Sequence, residues 1–304
     1  DILIENGKAK GVRLADNRVL KSDYVILATG HSARDIYRLL QEKNIAIQAK
    51  GFAMGVRVEH PQELINHIQY KSYKSDFLPA ASYNLTSQVD GRGVYSFCMC
   101  PGGMIVPSAT ECGQIVVNGM SSSARNSPFA NSGVVVELHP KDFTEFHQYG
   151  ELCGVYFQQQ LEHLAYASNG GQNQKAPAQR LTDFIRGRLS ADIHKSSYLP
   201  GIVSSPIHFW LPKLIGDSLI EGFRVFDKKM KGFVTSEAII LGVESRTSSP
   251  VRIPRHKDTL QHIQIQGLYP CGEGAGYSGG ITSSAIDGQR VAEQISFIDN
   301  EKNR

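Results

Sequence analysis

Glu273 stands in a run where nearly every other residue is glycine: Gly272-Glu273-Gly274-Ala275-Gly276-Tyr277-Ser278-Gly279-Gly280-Ile281. A carboxylate acceptor beside backbone that lacks Cβ atoms can meet a ligand lying directly on the main chain. Helical spacing begins after the run, which puts Gly279, Gly280 and Ile281 at a helix start. The free N–H groups and positive dipole end there suit an anionic or electron-rich group. A second signal, Val25-Ile26-Leu27-Ala28-Thr29-Gly30, is an apolar strand run stopped abruptly at Thr29-Gly30. Singly, an Ala-Thr-Gly turn is a common tripeptide and a glycine run is often a plain loop. Their order, with a β-meander before the first and strand, loop and helix around the second, gives the pair its weight.

Cys98-Met99-Cys100-Pro101-Gly102-Gly103 is the other stretch able to do redox work. Two cysteines two positions apart on a strand share a face. They could exchange electrons with a reduced cofactor or present a thiolate to substrate. Free cysteines are more often inert buried side chains, so a reduced, partly buried packing pair is the expectation. Four ligands at metal spacing are not found, and no metal is expected. Arg246-Thr247-Ser248-Ser249-Pro250-Val251-Arg252 is polar and turn-forming. Arg246 and Arg252 there would offer charge to an anionic small-molecule substrate in a cleft between domains, and Ser248 and Ser249 would offer hydrogen bonds. A solvated linker with its arginines paired to acids fits equally well. His31 and Arg34 follow Ala-Thr-Gly closely enough to approach a ligand, although a solvent-facing helix start accounts for them. His60, His208 and Trp210 read as packing or surface residues, and no catalytic base is assigned.

The elements that must position these residues fall into three stretches. Residues 1–30 read as strand, Asn6-Gly7 hairpin turn, strand, Asp16-Asn17 turn and strand, a β-meander leading into a run at 24–28 typical of a strand buried on both faces. A short amphipathic helix is expected at 33–43. From about residue 51 strand-like stretches at 52–59, 94–98, 115–119 and 133–138 alternate with expected helices near 62–69, 141–164 and 179–186. Residues 168–175, rich in Asn, Gly and Gln, read as an exposed loop. Strand material at 262–266 and 268–271 then precedes the glycine run. A helix at 281–298 is expected to turn Ile281, Ala285, Ile286, Val291, Ala292 and Ile295 to the core. The expected division is 1–50, 51–245 and 246–304, the first and last parts forming one domain around an inserted one.

The two motifs together resemble the later fingerprints of flavoproteins of the glutathione-reductase and hydroxybenzoate-hydroxylase type. The whole chain is similar to bacterial uncharacterised FAD-dependent dehydrogenases, through Phe52-Ala53-Met54-Gly55-Val56-Arg57-Val58-Glu59-His60-Pro61, the Cys98 to Gly103 stretch, Pro177-Ala178-Gln179-Arg180-Leu181, and Val243-Glu244-Ser245-Arg246-Thr247-Ser248-Ser249-Pro250-Val251-Arg252-Ile253. The resemblance implies an α/β plus α+β fold: an incomplete Rossmann-like FAD-binding domain with a β-meander, interrupted by an inserted α+β substrate domain. It implies FAD contacts at Thr29, Gly30, Gly272, Glu273, Gly274, Gly279, Gly280 and Ile281. An acid in a Gly-Asp pair meets the flavin ribityl chain in that family; here it is Glu273, one methylene longer. The implied activity is hydride transfer through flavin, with NAD(P)H as a candidate donor and the substrate left open.

Such flavoproteins open with a strand-GxGxxG-helix unit that clamps the ADP pyrophosphate. Nothing in the chain is read as such a unit, so its expected place is before Asp1. The expectation is therefore a fragment that holds FAD weakly or not at all and tends to self-associate through uncovered apolar surface. The competing reading is a regulatory or RNA-associated protein with a structural flavin or nucleotide.

Bulk properties exclude several classes. The 304 residues are 41% hydrophobic and 20% charged, with a formal net charge of +3 spread along the chain. That gives little reason to expect nucleic acid, and no apolar run reaches the ~18 residues a membrane helix requires. Five cysteines do not form a paired secretory framework, so a soluble cytoplasmic enzyme is the expectation.

Overall fold

The computed structural model describes residues 1–71 and 77–302. In chain order the first elements are β1 (Ile2–Glu5), β2 (Lys8–Arg13), β3 (Val19–Lys21), β4 (Val25–Leu27), α1 (Arg34–Glu42) and β5 (Gln48–Ala49). Then come β6 (Phe52–Pro61), α2 (Gln62–Tyr70), β7 (Thr86–Val89), β8 (Arg92–Cys100), β9 (Gly103–Pro107), β10 (Val117–Ser121) and β11 (Phe129–Leu138). After two 3-10 turns at Pro140–Asp142 and Thr144–Leu152 follow α3 (Cys153–Ala167), β12 (Ala176–Arg180), α4 (Leu181–Ile185), β13 (Ile202–Ser204), α5 (Ile207–Trp210), α6 (Lys213–Lys229) and β14 (Ile239–Glu244). The chain ends in β15 (Val251–Arg252), β16 (Leu268–Pro270) and α7 (Ile281–Lys302).

Two compact units result. One gathers Asp1–Phe52, His139–Phe157 and Ser248–Arg304; the other holds Ala53–Leu138 and Gln158–Thr247. In the first unit β1, β2 and β3 form an antiparallel sheet, and the β1–β2 turn is Asn6-Gly7 with φ of 51° and 72°. Positive φ at both positions matches the twist of a two-residue hairpin, which explains why Asn-Gly stands there. β4 and β16 pair in parallel, Leu268 opposite Val25 and Pro270 opposite Leu27. Leu27, Leu268, Tyr37, Leu40, Val251 and Ala275 share one buried cluster, so β4, α1 and the glycine run are fixed by a common core.

The second unit is built on a seven-stranded sheet of order β13-β12-β14-β6-β11-β8-β7. Strands β6, β11 and β14 are buried along nearly their whole length, as a sheet covered on both faces requires. Phe184, Phe223, Phe226 and Phe233 form an aromatic cluster beside it, with ring centroids 5.9–6.4 Å apart.

Several elements differ from the sequence reading. β4 is not buried on both faces: among the described residues it pairs with β16 alone, Leu27 is buried and Ile26 is 47% exposed. Of the apolar positions of α7 expected to face the core, Val291 is buried and Ile295 partly so. They pack with Tyr269 and Cys271, while Ile281, Ala285, Ile286 and Ala292 are exposed. The contact face of α7 runs through Asp287, Val291 and Ile295 at a spacing of four, so the apolar residues off that line meet no core. Residues 141–164 are not one helix; Gly150, at φ 58° and ψ −131°, breaks the turn that precedes α3. Gln179 and Arg180 extend β12 instead of starting a helix, and 262–266 makes only isolated bridges. α6, seventeen residues long, had no counterpart in the sequence reading.

Candidate functional site

In the first unit, the two sequence motifs meet at Gly274. A Cβ there would overlap the Gly30 carbonyl oxygen, so the position admits no side chain. The Cys271 N–H donates to the Leu27 carbonyl at 3.0 Å, which extends the β4–β16 pairing into the turn. Tyr37 of α1 donates to the Gly274 carbonyl at 2.7 Å, and its hydroxyl lies 2.9 Å from Ser249 Oγ. Burial pushes the Tyr37 hydroxyl up to about 12, so it stays a neutral donor.

Asp287 anchors the other end of the run. It accepts the Gly272 N–H at 2.8 Å and forms a two-pronged pair with Arg255, at 2.6 and 3.0 Å. Arg255 also donates to the Pro270 carbonyl at 2.7 Å and lies 3.9 Å above the Tyr277 ring. Desolvation works to raise the Asp287 carboxyl, but the bonds from Arg255 and Gly272 outweigh it and hold the group below the usual carboxylate range. Lys50, half-buried, is pushed below its ordinary value by burial and then by Arg252.

Within this frame a small open region remains. Substituents at Gly30, Gly279 and Gly280 would meet nothing within 4 Å, and Ile281 is 93% exposed. The first amides of α7 have no acceptor within their own helix. Glu273 Oε2 lies 3.4 Å from His31 Nδ1, both side chains about one-fifth exposed. Thr29 is exposed. The structure thus brings Gly30, Gly272, Glu273 and Gly274 together, with Gly279, Gly280 and Ile281 on the helix end that follows. Open backbone, an acceptor and the amides at the start of α7 fit the electron-rich edge of a flavin, with the Gly279 N–H already donating to Ser283 Oγ at 3.3 Å.

The remaining candidates behave differently. Ser249 is buried and accepts the Val251 N–H at 3.1 Å, a support for the glycine run. Ser248 is half-buried, and Arg252 is exposed 5.4 Å from the Tyr277 ring. Arg246 belongs to the second unit and is buried. It pairs with Glu162 at 3.0 Å and donates to Thr110 Oγ1 and Gln114 Oε1, so its charge is already neutralised.

A further buried cluster in the second unit surrounds Arg57. Its Nη1 lies 2.6 Å from Glu244 Oε2, Nε donates to Asn131 Oδ1 at 2.8 Å, and Nη2 donates to the Cys98 carbonyl at 2.6 Å. Cys98 is exposed and Cys100 buried, so the expectation of two partly buried cysteines on one face fails at Cys98. The cause is a bulge between β8 and β11 at which Cys98 takes φ 47° and leaves the alternation. Sequence reading missed Arg57 and Glu244 although both signals were visible: charges inside strands otherwise apolar enough to have no wet face. It also gave no role to Asp287, Arg255 or Tyr37, which lie far apart in the chain.

The profile of the family described as "FAD-dependent protein, C-terminal domain-like" matches residues 51–247. The chain belongs to that family. An uncharacterised protein of Clostridium beijerinckii is 44% identical over 299 residues, which cover 97% of this chain. The chain spans about half the length of that relative, 55%. Membership makes a flavin the cofactor to test against the geometry. Gly274, Gly276 and Gly279 do carry G-x-G-x-x-G spacing between β16 and α7. Gly274, however, packs on Gly30, and a substituent at Gly276 would lie 2.9 Å from the Val251 carbonyl. Two of the three glycines are required by protein packing, and the Gly276 N–H already donates to the Glu273 carbonyl at 3.0 Å. Among the described residues no helix is long and apolar enough to cross a membrane.

Proposed function

We propose that this chain supplies the flavin-side contacts of an FAD-dependent oxidoreductase of the dehydrogenase type. The observation that carries the reading is the Gly30–Gly274 contact, which sets an acidic loop and a helix N-terminus beside one open region. Gly279, Gly280 and Ile281 would hold the pyrimidine edge of the ring system, where negative charge accumulates on reduction. Glu273 would accept a hydrogen bond from a ribityl hydroxyl, and Thr29-Gly30 would pack against the ring. When bound, the flavin supplies a hydride acceptor for NAD(P)H or an organic substrate. The protein's part is orientation: Asp287, Arg255 and Tyr37 hold the loop in one conformation, so the amides are aimed before the ligand arrives. No residue of the chain is assigned as catalytic base.

FAD should bind this 304-residue chain weakly, because charge-assisted pyrophosphate contacts are each worth about 1.5–3 kcal/mol and the glycine run is committed to packing. Flavin fluorescence titration with FAD, and with riboflavin as the minimal probe, tests the reading. Gly279→Ala and Glu273→Ala should leave the melting temperature within a degree or two and weaken binding about tenfold or more. Absence of any binding at millimolar flavin, or binding indifferent to both substitutions, would overturn it.

A further inference from the structure

Cys98 sits where a packing cysteine would not. Its side chain is exposed, its backbone is held at φ 47° in a bulge, and its carbonyl is gripped from beneath by Arg57 Nη2 at 2.6 Å. Left-handed backbone at a residue with a Cβ persists only where surrounding structure enforces it, and such positions gather at working sites. The enforcement is visible here: Arg57, wholly buried, is fixed on three sides by Glu244, Asn131 and the Cys98 carbonyl. Cys100 lies below, its Sγ 3.3 Å from the Cys98 carbonyl and 3.8 Å from Arg57 Nη2. Asn131 is opposite Cys100 across the strand pair, and among the described residues its buried Nδ2 has no acceptor.

We propose that Cys98 and Cys100 form a thiol–disulfide exchange site for an accessible disulfide substrate, with Cys98 as the attacking sulfur and Cys100 as the resolving one. Exposure gives Cys98 access, whereas Cys100 is buried two residues further on, its Sγ held at the Cys98 carbonyl. The ionisation order agrees with this division. The neighbouring Cys100 thiol and the Arg57 charge outweigh desolvation and bring Cys98 down to about 6, while Cys98 and burial push Cys100 up. Among the described residues no group of three His, Cys, Asp or Glu side chains could hold a metal.

The exchange balances without a further reagent. Cys98 Sγ bonds to one substrate sulfur, the substrate S–S bond breaks, and the other sulfur leaves as a thiolate that takes a proton from solvent. Cys100 then gives its proton to solvent, bonds to Cys98 Sγ and expels the first substrate sulfur. The substrate disulfide gains two electrons and becomes two thiols; the cysteine pair loses two and becomes a disulfide. The inference stands on the second unit alone and does not depend on the flavin reading.

The test uses the reduced full chain with 5,5′-dithiobis(2-nitrobenzoate) at pH 7, followed by peptide mass spectrometry. Exposed Cys112 serves as the internal reference. The expected result is fast release of two equivalents of the chromophoric thiol and a Cys98–Cys100 peptide lighter by two hydrogens, with Cys112 modified at least tenfold more slowly. Cys100→Ser should release one fast equivalent and keep the adduct on Cys98. Because the wild-type comparison needs no variant, a misfolded substitution cannot obscure the outcome. Cys98 reacting no faster than Cys112, or a stable separate adduct on Cys98 of the wild type, would overturn the proposal.

Discussion

Asp287 shows how a single side chain can govern a loop it does not belong to. Its carboxylate joins the Gly272 amide to Arg255, with both charged side chains less than a tenth exposed. Because the native carboxyl lies below its unfolded value, the unfolded chain binds the proton first as pH falls. The pair's stabilisation is therefore complete above about pH 4, the ordinary carboxylate value, and is lost as pH drops through the depressed native value. Asp287→Asn should flatten the acid limb of a stability-against-pH curve measured by urea unfolding. At pH 7 it should cost about 3 kcal/mol, since it leaves the Arg255 charge buried without its partner. Gly274→Ala should be as damaging for a steric reason, while Gly279→Ala, facing open space, should not register in the same measurement.

At the scale of elements, α7 separates packing from hydrophobicity. Val291→Ala should destabilise the first unit by roughly 1–2 kcal/mol, because its side chain is wholly buried with Tyr269 and Cys271. Ile286→Ser, at a position 54% exposed, should leave the unfolding midpoint nearly unchanged. The same substitution, combined with Ile281→Ser, should instead reduce any concentration-dependent association seen by sedimentation, since contiguous apolar surface is what such contacts use. Periodicity located α7 in the sequence but assigned its buried face correctly only at Val291 and Ile295. A helix with apolar residues on more than one side does not state which side its neighbours will cover. The meander and β4 were readable because Asn6-Gly7 and Thr29-Gly30 mark the chain locally, whereas α6 went unread although Pro212 stands just before it and Gly232 just beyond it. The glycine run was readable as a turn between strand and helix for the same local reason. The Tyr37, Arg255 and Asp287 supports were not, because each acts on the run from a separate stretch of chain.

For the whole molecule, flavin affinity is the quantity in which these local features add up. A dissociation constant for FAD of roughly 10 µM to 1 mM is expected for the 304-residue chain by equilibrium dialysis, close to that for riboflavin if only the flavin side is held. A nanomolar value for FAD alone would mean that a pyrophosphate contact has been overlooked.

The order in which the chain is made adds a consequence of the Tyr37–Gly274 hydrogen bond. Its partners are separated by 237 residues. At a synthesis rate of about 5–20 residues per second, Tyr37 and β4 wait on the order of 10–50 s for the glycine run and β16. Throughout that interval β16, the strand that pairs with β4 among the described residues, does not yet exist. Residues 53–138 and 158–247 are complete before the last strand of the first unit exists, so the second unit can condense on the ribosome while the first remains open. Nascent-chain proteolysis should therefore find β8, β11 and β14 protected before β4, although β4 was synthesised first.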